Sequence, residues 1–266
     1  MVKKLIKYDF MSFLKVMLPV HFVLIGVAAL YRIVSLFEND GVFFGIFNAS
    51  AAIILVISII VCLLLTFIFS IVRFYKNLYT AEGYLTFTLP VTPAAHIMSK
   101  LTVSLIFDVI TLAVVILSVA VATAGELFAE IVKAAFYLLR SVFRFLGGQS
   151  PLFAAEFVIM IIASIVAAHL LTYMCISVGQ VANKHKILLA VGVYFGVYVV
   201  SQIVGTVVLA LGVMTDLPAR IAEFAYKNPR PFLHILFCGV TLIEIALAAI
   251  YYAVTHGMIK KHLNLE

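Results

Sequence analysis

The chain reads as six long apolar runs separated by short polar ones. The runs cover 16–37, 47–72, 97–124, 157–182, 187–214 and 232–255. Each exceeds the roughly 20 residues an α-helix needs to cross about 30 Å of hydrocarbon. The pattern predicts an all-α polytopic membrane protein with six transmembrane helices, built as one membrane domain over 1–266.

Three shorter segments carry a different period. In 1–15, Lys3, Lys4, Lys7 and Lys15 stand against Leu5, Ile6, Phe10, Phe13 and Leu14. That pattern predicts an amphipathic N-terminal interfacial helix on the inner membrane surface, leading into a retained span rather than a cleaved signal peptide. In 126–146, Glu126, Glu130, Lys133, Tyr137, Arg140 and Arg144 recur at alternating four- and three-residue steps. They define one polar face of an outer amphipathic helix between the third and fourth spans. Five charges make it a poor seventh span. Arg220, Glu223 and Lys227 mark a shorter outer helix in 216–230, closed by Pro229 and Pro231 before the last span.

Composition sharpens this picture. The chain is 65% hydrophobic and 11% charged, with a mean hydropathy of +1.21; a soluble domain is typically about half apolar and a quarter charged. The net charge is +6, but the basic residues sit at span ends, where topology and anionic lipid headgroups account for them without nucleic acid. Lys3, Lys4, Lys7, Lys15, Arg73, Lys76, Lys100, Lys184, Lys186, Lys260 and Lys261 flank one side. The positive-inside rule therefore assigns both termini and the 73–96 segment to the cytosol. Cys62, Cys175 and Cys238 lie in apolar runs without CxxC spacing, a pattern of neither disulfides nor a metal site.

Candidate chemistry is sparse. The chain has no GxxxxGK[ST], HExxH or GxSxG motif, so catalysis by this chain alone is not expected. Asp108, His169, Gln202 and Glu244 fall well inside spans, and ionisable groups at such depth face the bundle or a wet path. They read either as part of a translocation route or as interhelical polar contacts, with Glu244 bonded to His169 in the second case. Gly192 and Gly196 have the GxxxG spacing that lets two helices approach closely, a candidate dimer interface. Gly41 and Gly45 share that spacing in a predicted loop.

The segment 73–96 is the most informative polar interruption. Arg73, Lys76, Asn77 and Tyr79 leave the second span, with a further helical turn expected through 74–81 and a redirection at Gly83. Thr86 to Leu89 reads as β-prone, and Pro90 and Pro93 break it before a helix restarts at Ile97. A rigid peg for another protein and a solvated connector are both compatible with these residues.

The run Glu82-Gly83-Tyr84-Leu85-Thr86-Phe87-Thr88-Leu89-Pro90, followed by Ser99-Lys100-Leu101, resembles the loop of bacterial type-2 ATP-binding-cassette (ABC) exporter permeases. The closing Lys260-Lys261-His262-Leu263-Asn264-Leu265-Glu266 is similar to their short basic ending, whereas Ala94-Ala95-His96 departs from relatives that carry a basic residue there. The resemblance implies a permease subunit in a bacterial cytoplasmic membrane, pairing with a second, identical or homologous permease. Its coupling element would dock on a separate cytosolic cassette ATPase holding ATP and Mg. Mapped here, that element is Arg73 to Pro90: Asn77, Leu78, Tyr79 and Glu82 as docking contacts beside Arg73, Lys76 and Tyr84, with Gly83 and Pro90 setting shape. The fifth and first spans would meet the second permease, which adds to the case for Gly192 and Gly196. The outer helix of 126–146 suits an amphiphilic cargo, a peptide or lipid. The rival expectations are an ion-coupled secondary transporter using Asp108, His169 and Glu244, and a non-transporting membrane scaffold or sensor.

Overall fold

The computed structural model describes residues 2–37, 41–88, 90–182 and 184–261. Leu89 and the closing run from His262 to Glu266 lie outside them, as does the side chain of Glu126. Among the described residues the chain is helical, with no strand. Six helices are long and apolar enough to cross a bilayer, so by length and composition this is a multi-pass membrane protein.

In chain order the helices are α1 (Val2–Leu36), α2 (Val42–Tyr79), α3 (Ala81–Phe87), α4 (Pro93–Ala122), α5 (Glu126–Leu146), α6 (Ser150–Gly179), α7 (Lys186–Met214), α8 (Leu217–Lys227) and α9 (Pro229–Lys261). A single 3-10 turn, Gly147–Gln149, joins α5 to α6. Pro93 and Pro229 each open a helix, a position where the missing N–H costs nothing.

Several sequence expectations change. The fourth span starts earlier, at Ser150, and the last runs from Pro229 to Lys261. Pro229 and Pro231 therefore open the last span rather than close the helix before it. The separate interfacial helix of 1–15 gives way to one 35-residue helix, roughly 52 Å long at 1.5 Å per residue. Its buried residues Asp9, Phe13, Met17, His21, Leu24 and Ala28 follow one stripe at three- and four-residue steps. That stripe continues unbroken from the lysine-rich start into the apolar run, so nothing divides the two. The second span extends at both ends, to Val42 and Tyr79, which places Gly45 inside a helix rather than a loop. Thr86 and Phe87 close α3 instead of forming extended chain. The third span begins at Pro93, four residues before Ile97.

Backbone contacts group the chain into two compact units: Met1–Phe74 with Ala94–Val142, and Tyr75–Pro93 with Phe143–Glu266. In the first, α1, α2 and α4 share a core of Phe13, Met17, Val103 and Phe107, with Phe69 packed against it. Phe13 stacks on Phe107 at 4.2 Å and meets Phe69 edge-on at 4.8 Å, arrangements favoured by the ring quadrupole. Further along, Leu55 of α2 packs with the small side chains of Ala28 and Ala122 from α1 and α4.

In the second unit α6 packs against both α7 and α9, and α8 bridges α7 and α9. Gly179 ends α6 where a Cβ would lie 2.7 Å from the Lys186 carbonyl oxygen and 2.8 Å from the Ala190 Cβ. Only glycine lets α6 and α7 meet there. Along its most apolar stretch α7 buries no residue within the chain. Such exposure is untenable in water and ordinary in lipid, where apolar faces gain nothing by hiding from acyl chains.

Candidate functional site

The residues singled out at 73–90 occupy two settings. Arg73 belongs to the first unit, where its Nη2 lies 3.4 Å from Asp9 Oδ1. The remainder, from Tyr75 onward, belongs to the second. There α2 runs on to Tyr79, whose hydroxyl donates to Ser177 Oγ of α6 at 2.8 Å. Leu78 and Tyr79 are 0% and 1% exposed, and Asn77 is buried beside them. These three side chains anchor the end of α2 inside the protein, so the accessible surface is narrower than the sequence expectation drew. Lys76 stays exposed.

Thr80 stands between α2 and α3 with extended backbone (φ −112°, ψ −170°), the usual geometry at the start of a helix. Its hydroxyl donates back to the Lys76 carbonyl at 2.7 Å, and its own carbonyl accepts the Gly83 N–H at 2.7 Å. Thr86 and Thr88 donate to the carbonyls of Glu82 and Leu85. These local bonds satisfy the three hydroxyls without a partner from another helix. Gly83 is buried, whereas Glu82, Tyr84 (58% exposed) and Leu85 (75% exposed) point outward. Pro90 is exposed as well. The outcome is a seven-residue helix with a carboxylate, an aromatic and an aliphatic side chain on its free face.

Of the membrane-depth polar residues, Asp108 lies half-buried on α4 in the first unit. His169 is 1% exposed on α6, its ring 6.2 Å from that of Tyr173. Glu244 is half-buried on α9. Gln202 is exposed on α7. Gly192 and Gly196 lie on that helix too, and a Cβ added at either would meet nothing within 4 Å.

Sequence reasoning overlooked the best-connected polar groups. Asp9 is buried and accepts from Lys100 Nζ at 2.9 Å, from Ser99 Oγ at 2.9 Å and from Arg73. One turn further along α4, Ser104 bonds Ser70 of α2. Deeper still, Thr111 links His21 of α1 and Thr66 of α2, each at 3.0 Å. A polar seam thus runs along the contact of α1, α2 and α4. Its signal was in the sequence: Asp9 falls on the apolar stripe, where a carboxylate needs a partner. In the second unit Glu156, one residue before the expected fourth span, holds His234 Nδ1 at 2.8 Å, and Phe153 stacks on that imidazole at 3.8 Å. Arg230 donates to the Phe145 carbonyl at 2.9 Å and packs over Gly147, whose φ of +64° turns the chain between α5 and α6.

Among the described residues no group of three or more His, Cys, Asp or Glu side chains is arranged to hold a metal ion. Comparison of the chain with models of protein families, with curated proteins and with solved structures gives no match.

Proposed function

We propose that this chain is the permease subunit of an ATP-driven exporter and that α3 is its docking element for a cytosolic cassette ATPase. The observation that carries the proposal is the free face of α3. Glu82, Tyr84 and Leu85 project from a short helix whose frame is pinned by buried Leu78, Tyr79 and Gly83. A side chain set of that kind suits a groove on another protein, since aromatic and aliphatic anchors on a rigid support lose little entropy on binding. The same residues carry the resemblance to type-2 exporter permeases. On this reading both termini and α3 are cytosolic, and a second permease copy or homologue completes the transport path. ATP and Mg reside on the partner, and α5 lies along the outer membrane surface. An amphiphilic cargo, peptide or lipid-like, fits the broad apolar face of α5.

The test is purification from the native membrane in mild detergent, with mass spectrometry of what accompanies the chain. A stoichiometric protein bearing GxxxxGK[ST] is the expected result. Recovery of this chain alone, while a known membrane complex survives the same detergent, overturns the proposal in favour of an ion-coupled transporter. In a reconstituted complex, Glu82→Ala with Leu85→Ala should uncouple ATP hydrolysis from transport while the protein keeps its thermal stability. Unchanged coupling would reject α3 as the docking element.

A further inference from the structure

A groove of about 320 Å³ lies between α1 and α2 in the first unit. Its walls are Pro19, Val23 and Leu24 of α1 and Ile57, Val61 and Leu65 of α2. Ser58 also lines it, but spends its hydroxyl on the Ile54 carbonyl at 2.8 Å, so the lining presents an apolar surface. The volume falls within the range of small-molecule sites, which are apolar pockets steered by a few charged groups. Both walls belong to membrane-spanning helices.

The charge lies at one end. Lys15 is exposed and precedes Pro19 by four residues, one helical turn along the same face. α1 and α2 run antiparallel, with Asp9 beside Arg73 and Met17 beside Thr66, so the Lys15 end of the groove is also the Arg73 end. That end of α1 carries Lys3, Lys4, Lys7 and Lys15, while Arg73 and Lys100 meet the carboxylate of Asp9. Asp9 is already engaged by Lys100 and Arg73, whereas Lys15 stands exposed beside the groove. At the wall itself, Pro19 has no N–H to give the Lys15 carbonyl. An apolar slot that opens at one end under a cation matches a molecule with a hydrocarbon tail and an anionic head.

We infer that the α1–α2 groove is a binding site for an anionic phospholipid, with an acyl chain between Pro19 and Leu65 and the phosphate beside Lys15. A zwitterionic lipid fills the slot equally well but gains less from Lys15, so the site selects by charge. The inference does not depend on the exporter proposal.

The chain contains no tryptophan, which gives a clean optical test on the full protein reconstituted in vesicles. A single tryptophan replaces Ile54, one turn beyond the groove and 56% exposed. Lipids with brominated chains then quench it on contact. Brominated phosphatidylglycerol should quench at about five-fold lower mole fraction than brominated phosphatidylcholine, the effect of roughly one basic residue beside an anionic headgroup. Lys15→Gln should remove most of that preference and Lys15→Arg should keep it. A tryptophan placed instead at Val199 of α7 should show no preference. Val61→Phe, which narrows the slot without touching a charge, should bring the preference at position 54 close to unity, so the site is testable even if Lys15→Gln does not fold. Equal quenching of Ile54→Trp by the two lipids overturns the inference, as does a preference that survives both Lys15→Gln and Val61→Phe. Protection of position 54 from both lipids also overturns it, because a protein helix would then fill the groove.

Discussion

Asp9 shows how much one carboxylate can organise in a chain this apolar. It is buried, as is Lys100, and a buried pair is costly to break although its net worth over apolar packing is small. Asp9→Ala should therefore destabilise the protein by about 3–5 kcal/mol, because buried Lys100 loses the carboxylate that it meets at 2.9 Å. Asp9→Ala combined with Lys100→Met should recover most of the loss, as thermal denaturation in detergent would reveal. Similar destabilisation in the double variant would mean that Asp9 acts through Ser99 and Arg73 instead. Leu78 and Leu85 form a second contrast, one 0% and the other 75% exposed. Leu78→Ala should cost about 2–5 kcal/mol by opening a cavity, while Leu85→Ala should leave the melting temperature unmoved. Equal effects would show that α3 does not stand free.

At the scale of elements, helix ends do most of the specific work. The α6–α7 junction depends on Gly179, where a Cβ would meet backbone at 2.7 Å. Gly179→Ala should lower stability by about 1–3 kcal/mol and loosen α7, which hydrogen exchange on α7 would report. An unchanged exchange rate would mean that the Lys186 end of α7 can retreat at little cost. The existence of six spanning helices was legible because twenty-odd apolar residues in a row admit few other structures. Their ends were less legible. The limits at 47, 72 and 97 came from where polar residues begin, but a helix does not stop on leaving lipid: α2 continues to Tyr79 because Phe74, Leu78 and Tyr79 find a protein interior to enter. For the same reason the pattern of 1–15 alone predicts a surface helix. Its lysines mark one face, yet Asp9 and Phe13 on the other side bury against α2 and α4 rather than in headgroups.

For the whole molecule, the two units differ in how they use polarity. The first carries the buried seam of Asp9, Ser104, Thr111 and His21, which specifies how α1, α2 and α4 register against one another. The second leaves α7 almost wholly exposed along its apolar length. If α7 faces a second copy of this chain in the membrane, cysteines introduced at Gly192 and Gly196 should crosslink between copies at neighbouring turns; crosslinking no greater than at Val199 would assign that surface to lipid. The exporter proposal and the lipid groove are tested separately, since one concerns α3 and a soluble partner and the other α1, α2 and the bilayer.

By itself the sequence determined the solvent, the class and the number of spans, because hydropathy over twenty residues is a sum that no local contact can reverse. It also located the polar interruption at 73–96 and the helix at 126–146, where periodicity and turn residues speak locally. Tertiary structure alone decided which members of those segments remain accessible. Leu78 and Leu85 are the same residue type seven positions apart, and only packing against the rest of the second unit buries one and frees the other. It also brought Asp9 to Lys100 and Glu156 to His234, pairs separated by 91 and 78 positions. One chain contains many possible partners for each charge, and only the three-dimensional course of the helices selects among them.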